Sequence, residues 1–289
     1  MNAPFRFLVA ESETPQARRQ RRESAGRSSG ETYVDTLVSL APGARCDRVQ
    51  PADRGASWPD ADGLAGYDAV FFTGSPLHLY QDTPEVRRVL DFMRAVFASG
   101  TPAFGSCAGL QVATVAAGGT VRPNARGREA AFARRITPTP DGRAHPLLRG
   151  RPGAYDALSI HTDEVATLPD GAVLLASNAR IDVQAAEIRV GDGVFWGVQY
   201  HPELSLAEIA EALRREKDAL IGEGFAAAPE ALEAHVALID ALHRNPARRD
   251  LAWRLGLDEQ VTDAGLRRTE LRNFIEHAAK PRRAVRGRA

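Results

Sequence analysis

Cys107 lies in the segment GSCAGLQ, residues 105–111, which follows a short apolar run and precedes a stretch of small, helix-favouring residues. Flanking glycines let the backbone turn sharply from a strand into a helix, with the central side chain at the turn. A helix N-terminus stabilises a thiolate, and N–H groups at such a turn can bind a developing oxyanion. The segment predicts a nucleophilic cysteine, although a small buried cysteine beside helix-packing glycines would have the same local sequence.

A histidine followed two positions later by an acidic residue forms a second segment, GVQYHPE at residues 197–203. We expect His201 at the end of a strand, from which an imidazole can reach a cysteine on a neighbouring strand–helix turn. Glu203 can then orient the ring and stabilise its charged form. A surface turn leading into a helix is the alternative interpretation of this segment.

The third segment, FFTGSP at residues 71–76, again predicts a strand that runs into a glycine turn. The N–H groups of Gly74 and Ser75 can face the same site. An ordinary strand–helix loop is the alternative. His78, just after the turn, is either a pocket residue or a surface residue.

Strand-like and helix-like segments alternate over roughly the first 200 residues. Apolar, β-branched and aromatic runs predict strands at 5–10, 69–73, 102–104, 131–136, 173–177, 184–190 and 193–199. Helices are predicted at 32–40, at 107–117 and, from an N-capping Thr83 to a terminating Gly100, at 84–99. This alternation predicts an α/β fold with an open, mainly parallel sheet and helices on both faces.

Two segments have no clear periodicity. Residues 11–30 are polar and rich in Arg and Ser, which predicts a loop or weak helix, as either a flexible surface loop or a flap over the site. Residues 41–66 are rich in Pro, Gly, Asp and Ala, and we expect them to be mostly irregular.

The sequence changes character after Glu203 and becomes rich in Ala, Leu, Glu and Arg. Helices are predicted at 205–223, 229–243, 247–256 and 263–278. We therefore divide the chain into a catalytic domain, residues 1–204, and a helical extension, residues 205–289. Apolar residues of the extension, including Leu213, Val236 and Trp253, must be buried against the α/β domain or in a homodimer or partner interface. We expect the extension to be an interaction surface and not a catalytic part.

Composition excludes several classes of function. The 289 residues include 37 basic and 37 acidic side chains, which argues against nucleic-acid binding through overall charge. No apolar run approaches the ~20 residues of a membrane span, and no signal peptide is visible. Two cysteines make no disulfide framework, so we expect a cytoplasmic protein in which Cys46 is structural. No metal-ligand spacing and no phosphate-binding loop is visible, so neither a metal nor a cofactor is expected.

Together the three segments resemble the class I glutamine amidotransferase family, in which G-x-C-x-G-x-Q is followed by a late H-x-E. The two motifs are separated by 94 residues (201 − 107), which suits the family. SIHTDEV at 159–165 and LPDG at 168–171 also resemble a stretch of the amidotransferase part of GMP synthetases. The resemblance covers roughly residues 5 to 204 and implies a flavodoxin-like sheet.

The resemblance implies a catalytic triad. Cys107 would attack a side-chain amide carbonyl to form a γ-glutamyl thioester, which water then hydrolyses. His201 would act as base and then as acid towards the departing ammonia, and Glu203 would orient it.

The resemblance also implies an oxyanion hole from the N–H groups of Gly74 and Ala108. Residues matching substrate-binding positions or stretches are Gln111, Ser75 and His161. The sequence departs from the family pattern at Leu110, where His or Met is frequent, and at Ala108, where bulkier residues are common. Both changes affect the shape of the pocket and remove no catalytic group.

Three functions remain open. The first is a glutaminase that releases ammonia to an acceptor bound by a synthase partner, and this is the one we expect. The second is a stand-alone γ-glutamyl amide hydrolase with no partner. The third, a catalytically silent binding or regulatory protein, is disfavoured because Cys107, His201 and Glu203 are all present.

Overall fold

The computed structural model describes residues 4–286. Residues 1–3 of the predicted catalytic domain and 287–289 of the predicted extension lie outside it. The strands in this range are β1 (Arg6–Ala10), β2 (Arg45–Val49), β3 (Ala69–Phe72), β4 (Ala103–Ser106), β5 (Thr120–Pro123), β6 (Glu129–Pro138), β7 (Tyr155–His161), β8 (Asp163–Thr167), β9 (Val173–Ser177), β10 (Ala185–Val190) and β11 (Gly193–Val198).

The α-helices in the same range follow the strands in the first two thirds of the chain and then continue alone. They are α1 (Pro15–Ala25), α2 (Ser29–Leu40), α3 (Ala61–Ala65), α4 (Pro84–Ala98), α5 (Ala108–Ala116), α6 (Pro140–Ala144), α7 (Leu206–Arg215), α8 (Lys217–Gly222), α9 (Pro229–Arg244), α10 (Arg249–Leu255), α11 (Glu259–Thr262), α12 (Ala264–Arg267), α13 (Thr269–Phe274) and α14 (Lys280–Arg286). None of the helices described over residues 4–286 has the length and apolarity to cross a membrane.

One large sheet organises the described chain, with strand order β2-β1-β3-β4-β11-β10-β9-β6-β7, and β5 pairs separately with β8. In this sheet order, the first five strands, β2 to β11, pair in parallel, and the neighbours from β11 to β7 pair antiparallel. Across the sheet, only β10 and β6 of the described strands therefore run against the rest. The predicted α/β fold with a mainly parallel sheet is confirmed, with an antiparallel half that the sequence did not predict.

Helices pack on both faces of the sheet, as predicted. On one face, α4 and α5 bury Val89 and Leu110 with Phe72 of β3. On the other face, α2 and α13 bury Leu37 and Phe274 in a separate core. The carboxyl ends of β1, β3, β4 and β11 meet at one edge between these layers, which is where parallel α/β sheets bind ligands.

The segment 11–30 is not a surface loop, and this part of the prediction is wrong. The Thr14 hydroxyl accepts a hydrogen bond from Ala17 N (3.3 Å) and caps α1, whose first residue is Pro15. Glu11 and Ser28, on either side of the helix, are fully buried. The pair Thr14-Pro15 is an N-cap and first-turn pattern, but the basic composition of the helix obscured it.

Other strands were also missed. β2 lies in the segment 41–66, and its residues are half-buried or exposed at the sheet edge, so no apolar run marks it. β7 and β8 hold the segment 159–165, in which buried polar residues interrupt the apolar pattern. Sequence patterns find buried parallel strands more easily than edge strands or strands with polar functional residues.

The helical extension packs back on the α/β domain. Leu213 of α7 and Val236 of α9 share a core with Phe132 of β6 and Leu158 of β7. Trp253 is 73% exposed, so packing within the chain does not bury it. Packing within the chain therefore covers most apolar residues of the extension, and an interface with a second chain stays a prediction.

A buried ion pair joins α13 of the extension to the loop that precedes β7. Arg151 donates from Nε and Nη2 to the two carboxylate oxygens of Glu270, at 2.7 and 2.8 Å, and both side chains are at most 1% exposed. Glu270 also accepts a hydrogen bond from the hydroxyl of Tyr200 (2.9 Å), next to the predicted base. Bidentate geometry in a dry site makes this pair sensitive to the loss of either partner.

We expect Glu270→Gln to lower the free energy of unfolding by about 3–5 kcal/mol, because it leaves the Arg151 charge buried without a counter-ion. Urea denaturation followed by circular dichroism measures the change. Glu276→Gln is the matched control, since Glu276 pairs with Lys280 on the surface and should leave stability nearly unchanged. Equal effects of the two substitutions would contradict the structural role of the buried pair.

Candidate active site

The backbone of Cys107 has an unusual conformation, with φ 54° and ψ −112°, directly before α5. Its N–H donates to Val198 O of β11 (2.8 Å), and its carbonyl accepts from Leu110 N (3.0 Å). Positive φ is uncommon for non-glycine residues, and such a strained backbone persists only where the surrounding structure imposes it. The structure therefore confirms the sharp strand-to-helix turn, with Cys107 as the residue that precedes the helix.

Two glycines allow this turn by close backbone approach. A Cβ atom on Gly109 would lie 2.7 Å from the carbonyl oxygen of Phe72, and one on Gly105 would lie 2.8 Å from the carbonyl carbon of Gly109. Neither contact is possible without moving backbone. The spacing of the glycines around Cys107 is thus a requirement of packing between α5, β3 and β4.

His201 and Glu203 lie beside Cys107. His201 Nδ1 donates to Glu203 Oε1 (2.7 Å), and the His201 backbone N–H donates to Leu158 O (2.8 Å). A Cβ atom on Gly74 would be 2.8 Å from His201 Cε1 and 3.7 Å from Cys107 Cβ, so both side chains flank this glycine. Within the described residues, His201 Nε2 is buried without a hydrogen-bond partner. That nitrogen is left to act on the sulfur or on a bound substrate.

Opposing effects act on the pKa of His201. Burial disfavours the imidazolium and lowers the pKa, but the nearby Glu203 carboxylate and Cys107 sulfur together raise it above the ordinary value. The raised pKa favours the charged ring, which is the counter-ion that a Cys107 thiolate needs near neutral pH.

Backbone donors also face this region. Over residues 4–286, neither Gly74 N–H nor Ala108 N–H is paired with a backbone acceptor. Gly74 lies after β3, and Ala108 is the first residue of α5. Both N–H groups therefore lie next to Cys107 without a backbone acceptor in the described chain, and their role as an oxyanion hole stays a prediction.

Two of the predicted substrate-binding residues, Gln111 and His161, are held by hydrogen bonds within the chain. Gln111 Nε2 donates to Asp163 O and to Gln199 Oε1, both at 3.2 Å, which fixes its amide at the cleft wall. The ring nitrogens of His161 contact Asp163 O (2.9 Å) and Glu129 Oε2 (3.1 Å). Both nitrogens of His161 are thus used, which leaves His201 as the histidine with a free nitrogen beside the sulfur.

Ser75 and His78 complete the turn after β3. Ser75 Oγ donates to Ser12 O (3.0 Å) and accepts from Leu77 N (3.1 Å), so its hydroxyl stabilises the turn. His78 Nδ1 contacts Asp163 Oδ2 (2.6 Å), and its side chain is 41% exposed. Both residues line the cleft.

The cleft has a volume of about 390 Å³, and Cys107 lies on its wall together with His201 and Glu203. Further charged or polar residues line it, and four of them belong to the segment 11–30, for which a flap over the site was one of the two interpretations. These further residues are Glu13, Gln20, Arg21, Ser29, Arg128, Asp163, Arg215 and Glu216. Arg215 and Glu216 belong to the extension, so the extension forms part of the cleft wall; that it is an interaction surface and not a catalytic part stays a prediction. Their distance from Cys107 in the sequence left no pattern that could have found them.

The model of the family described as glutamine amidotransferase class-I matches residues 42–217, which are 176 of 289 residues (217 − 42 + 1). The chain belongs to the class I glutamine amidotransferase family. The matched range includes the turn at Cys107 and the His201 segment. It begins after α1 and ends at the start of α8. The cleft-lining residues of the segment 11–30 and most of the extension therefore lie outside it.

Individual relatives of the class I glutamine amidotransferase family agree with this assignment. A γ-glutamyl-L-1-hydroxyisopropylamide hydrolase from a Pseudomonas species is 37% identical over 223 residues, 76% of this chain and 75% of that protein. A subunit of the glutamine-hydrolysing GMP synthase from Methanoculleus marisnigri is 36% identical over 106 residues, 37% of this chain and 54% of the relative. The reaction class is therefore hydrolysis of an amide bond such as that of the glutamine side chain.

A crystal structure of a glutamine amidotransferase from Thermotoga maritima has a TM-score of 0.65 to this chain at 18% identity. The match covers 95% of this chain and 99% of that one. The fold is thus shared over nearly the whole length, the C-terminal helices included.

We expect a thiol-directed glutamine analogue to label Cys107 and to spare Cys46. Burial, assisted by Asp47, raises the pKa of Cys46 to about 11, which disfavours its thiolate at pH 8. Peptide mass spectrometry after labelling measures both sites, with Cys107→Ala as the control that should remain unlabelled. Equal labelling of the two cysteines would contradict the assignment of the nucleophile.

Proposed function

We propose that this protein is a self-sufficient hydrolase of γ-glutamyl amides that acts through Cys107, His201 and Glu203. Glutamine is the simplest member of this substrate class, with ammonia as its leaving group. The observation that carries the proposal is the buried His201, held by Glu203 through Nδ1 and flanking Cys107 with its Nε2 unpaired. A silent binding protein has no need for this arrangement.

In the proposed reaction, the Cys107 thiolate attacks the γ-carbonyl carbon, and the carbonyl oxygen becomes an oxyanion. The Gly74 and Ala108 N–H groups donate to this oxygen. His201 gives its proton to the departing amine, and the C–N bond breaks to leave a γ-glutamyl thioester. His201 then takes a proton from water, which attacks the thioester and releases glutamate and the thiolate.

Glu203 has a positioning and electrostatic role in this scheme. Its carboxylate fixes the ring through Nδ1 and raises the pKa of His201, so that the proton needed by the leaving amine is present near neutral pH. Gln111 supports the acyl side of the substrate, since its amide is held rigidly in the cleft wall.

The preference for a stand-alone hydrolase is supported by the extent of the similarities. The match to the γ-glutamyl-L-1-hydroxyisopropylamide hydrolase spans about three quarters of both chains, whereas the match to the GMP synthase subunit spans 37% of this chain. Arg215 and Glu216 of the extension also cover part of the cleft from within the chain. Release of ammonia to a synthase partner remains the second candidate, supported by the GMP synthase relatives.

We expect Cys107→Ser to lower kcat by at least about 10³-fold while the fold is retained, because a serine hydroxyl is far less ionised than a thiol. His201→Ala should be nearly as damaging, since the two groups act as a unit. A coupled assay of glutamate release from glutamine and from γ-glutamyl alkylamides measures the effect. Near-normal turnover of His201→Ala would contradict the assigned base.

Glu203→Gln should be milder, with a loss of about 10- to 100-fold, because an amide can still hold the ring but cannot stabilise its charge. Loss of the carboxylate also removes an interaction that raises the pKa of His201. The falling limb of the kcat–pH profile, where the general acid loses its proton, should therefore move to lower pH. An unchanged profile would show that Glu203 does not act on the charge of the ring.

A further inference from the structure

Glu13 and Ser29 form a polar wall of the active cleft that the triad does not use. Ser29 Oγ lies 2.7 Å from Glu13 Oε2, and Ser29 N–H donates to the same oxygen (3.3 Å). Both residues are more than nine-tenths buried, yet both line the cleft that contains Cys107. They precede the range matched by the family model, so the shared motifs assign them no role.

This polar wall is tied to the strand beside the proposed oxyanion hole. Ser29 Oγ also lies 3.1 Å from Thr73 Oγ1, which accepts a hydrogen bond from Ser12 N (3.1 Å). Thr73 directly precedes Gly74. The position of the Glu13 carboxyl is therefore fixed relative to the reacting carbonyl by the β1 and β3 strand ends.

One oxygen of Glu13 is left for a ligand. Among the described residues, the hydrogen bonds to its carboxyl group end on Oε2, which leaves Oε1 for the cleft. Burial, with a contribution from Glu11, raises the pKa of Glu13, whereas Arg21 and Ser29 lower it. A carboxyl group in these surroundings can accept a hydrogen bond or, when protonated, donate one.

The leaving amine must lie on the His201 side of the scissile bond, because His201 protonates it. Glu203, which holds His201, accepts a hydrogen bond at its carbonyl oxygen from Thr36 Oγ1 of α2 (3.3 Å). The N-terminus of the same helix carries Ser29. Gln111, in contrast, belongs to α5, which packs on the opposite face of the sheet. Gln111 and Ser29 thus line the cleft from helices on opposite faces of the sheet, and Ser29 lies on the helix that contacts the residue holding His201.

We propose that Glu13 and Ser29 form a leaving-group subsite that binds a hydroxyl on the amine side of a γ-glutamyl amide. This inference rests on the proposed function. A hydroxyl can donate to Glu13 Oε1 and accept from a cleft donor, which suits a carboxyl–serine pair better than an apolar group does. Arg21 on the same wall offsets the Glu13 charge, so a cationic amine is the poorer fit. Glu13 and Ser29 are then specificity-determining residues.

The test compares kcat/KM for three substrates: γ-glutamyl-1-hydroxyisopropylamide, γ-glutamyl-isopropylamide and glutamine. The wild-type enzyme should prefer the hydroxyl-bearing amide over its deoxy analogue by about 10- to 100-fold, as expected for a hydrogen bond to a carboxylate. Glu13→Ala should reduce this ratio to about 1–2, with the loss of kcat/KM falling on the hydroxyl-bearing amide rather than on its deoxy analogue. Ser29→Ala should reduce the ratio partly, and Glu13→Gln should restore part of it.

Glu23→Gln is the matched control, because Glu23 is an exposed residue of α1, the helix between Glu13 and Ser29, and does not line the cleft. Its substrate ratio should equal that of the wild type. Thermal unfolding of each variant separates folding from specificity, and Ser29→Ala remains a test if Glu13→Ala is unstable.

An unchanged substrate ratio in both folded variants, or an equal loss on all three substrates, would overturn the subsite. A preference of the wild type for a γ-glutamyl diamine, such as γ-glutamyl-putrescine, would overturn the choice of a hydroxyl. Failure of the wild-type enzyme to hydrolyse any of these γ-glutamyl compounds would instead overturn the proposed function, and the subsite with it.

Discussion

The site depends on the strained backbone of Cys107. A non-glycine residue at φ 54° costs of order 1–3 kcal/mol, so the surrounding fold must impose it. It does so by packing: Gly105 and Gly109 let α5 approach β3 and β4 so closely that no side chain fits between them. The hydrogen bond from Cys107 N–H to β11 then ties the nucleophile to the strand that leads to His201. The close packing of α5 and this hydrogen bond together fix the position of the thiol relative to the strand that leads to the base.

The sequence was sufficient where chemistry and geometry demand particular residues in a short segment. The glycines around Cys107 have no substitute, and His201 with Glu203 lies at a strand end whose apolar run is easy to recognise. The helix before Gly100 has its cap, its first-turn proline and its apolar spacing in one continuous stretch. Buried parallel strands were predicted for the same reason, since a continuous apolar, β-branched run between turn residues is typical of them.

The rest of the site could not be found in this way, because its residues become neighbours only in the folded chain. Glu13 sits in an Arg-rich segment that is typical of a surface, yet its carboxyl is buried against Ser29. Arg215 and Glu216 reach the cleft from a helix that starts after the last motif. A single sequence contains no periodicity that joins such positions, and buried charge runs against the average preference of these residue types.

The contact between Glu270 and Tyr200 has a consequence for the independence of the motif-bearing part of the chain. Tyr200 immediately precedes His201, and its hydroxyl donates to Glu270, the counter-ion of the buried Arg151. A side chain of the extension therefore holds the segment that carries the proposed base. Exchange of the extension for an unrelated segment, by recombination or by protein engineering, would have to supply a new counter-ion for Arg151 as well.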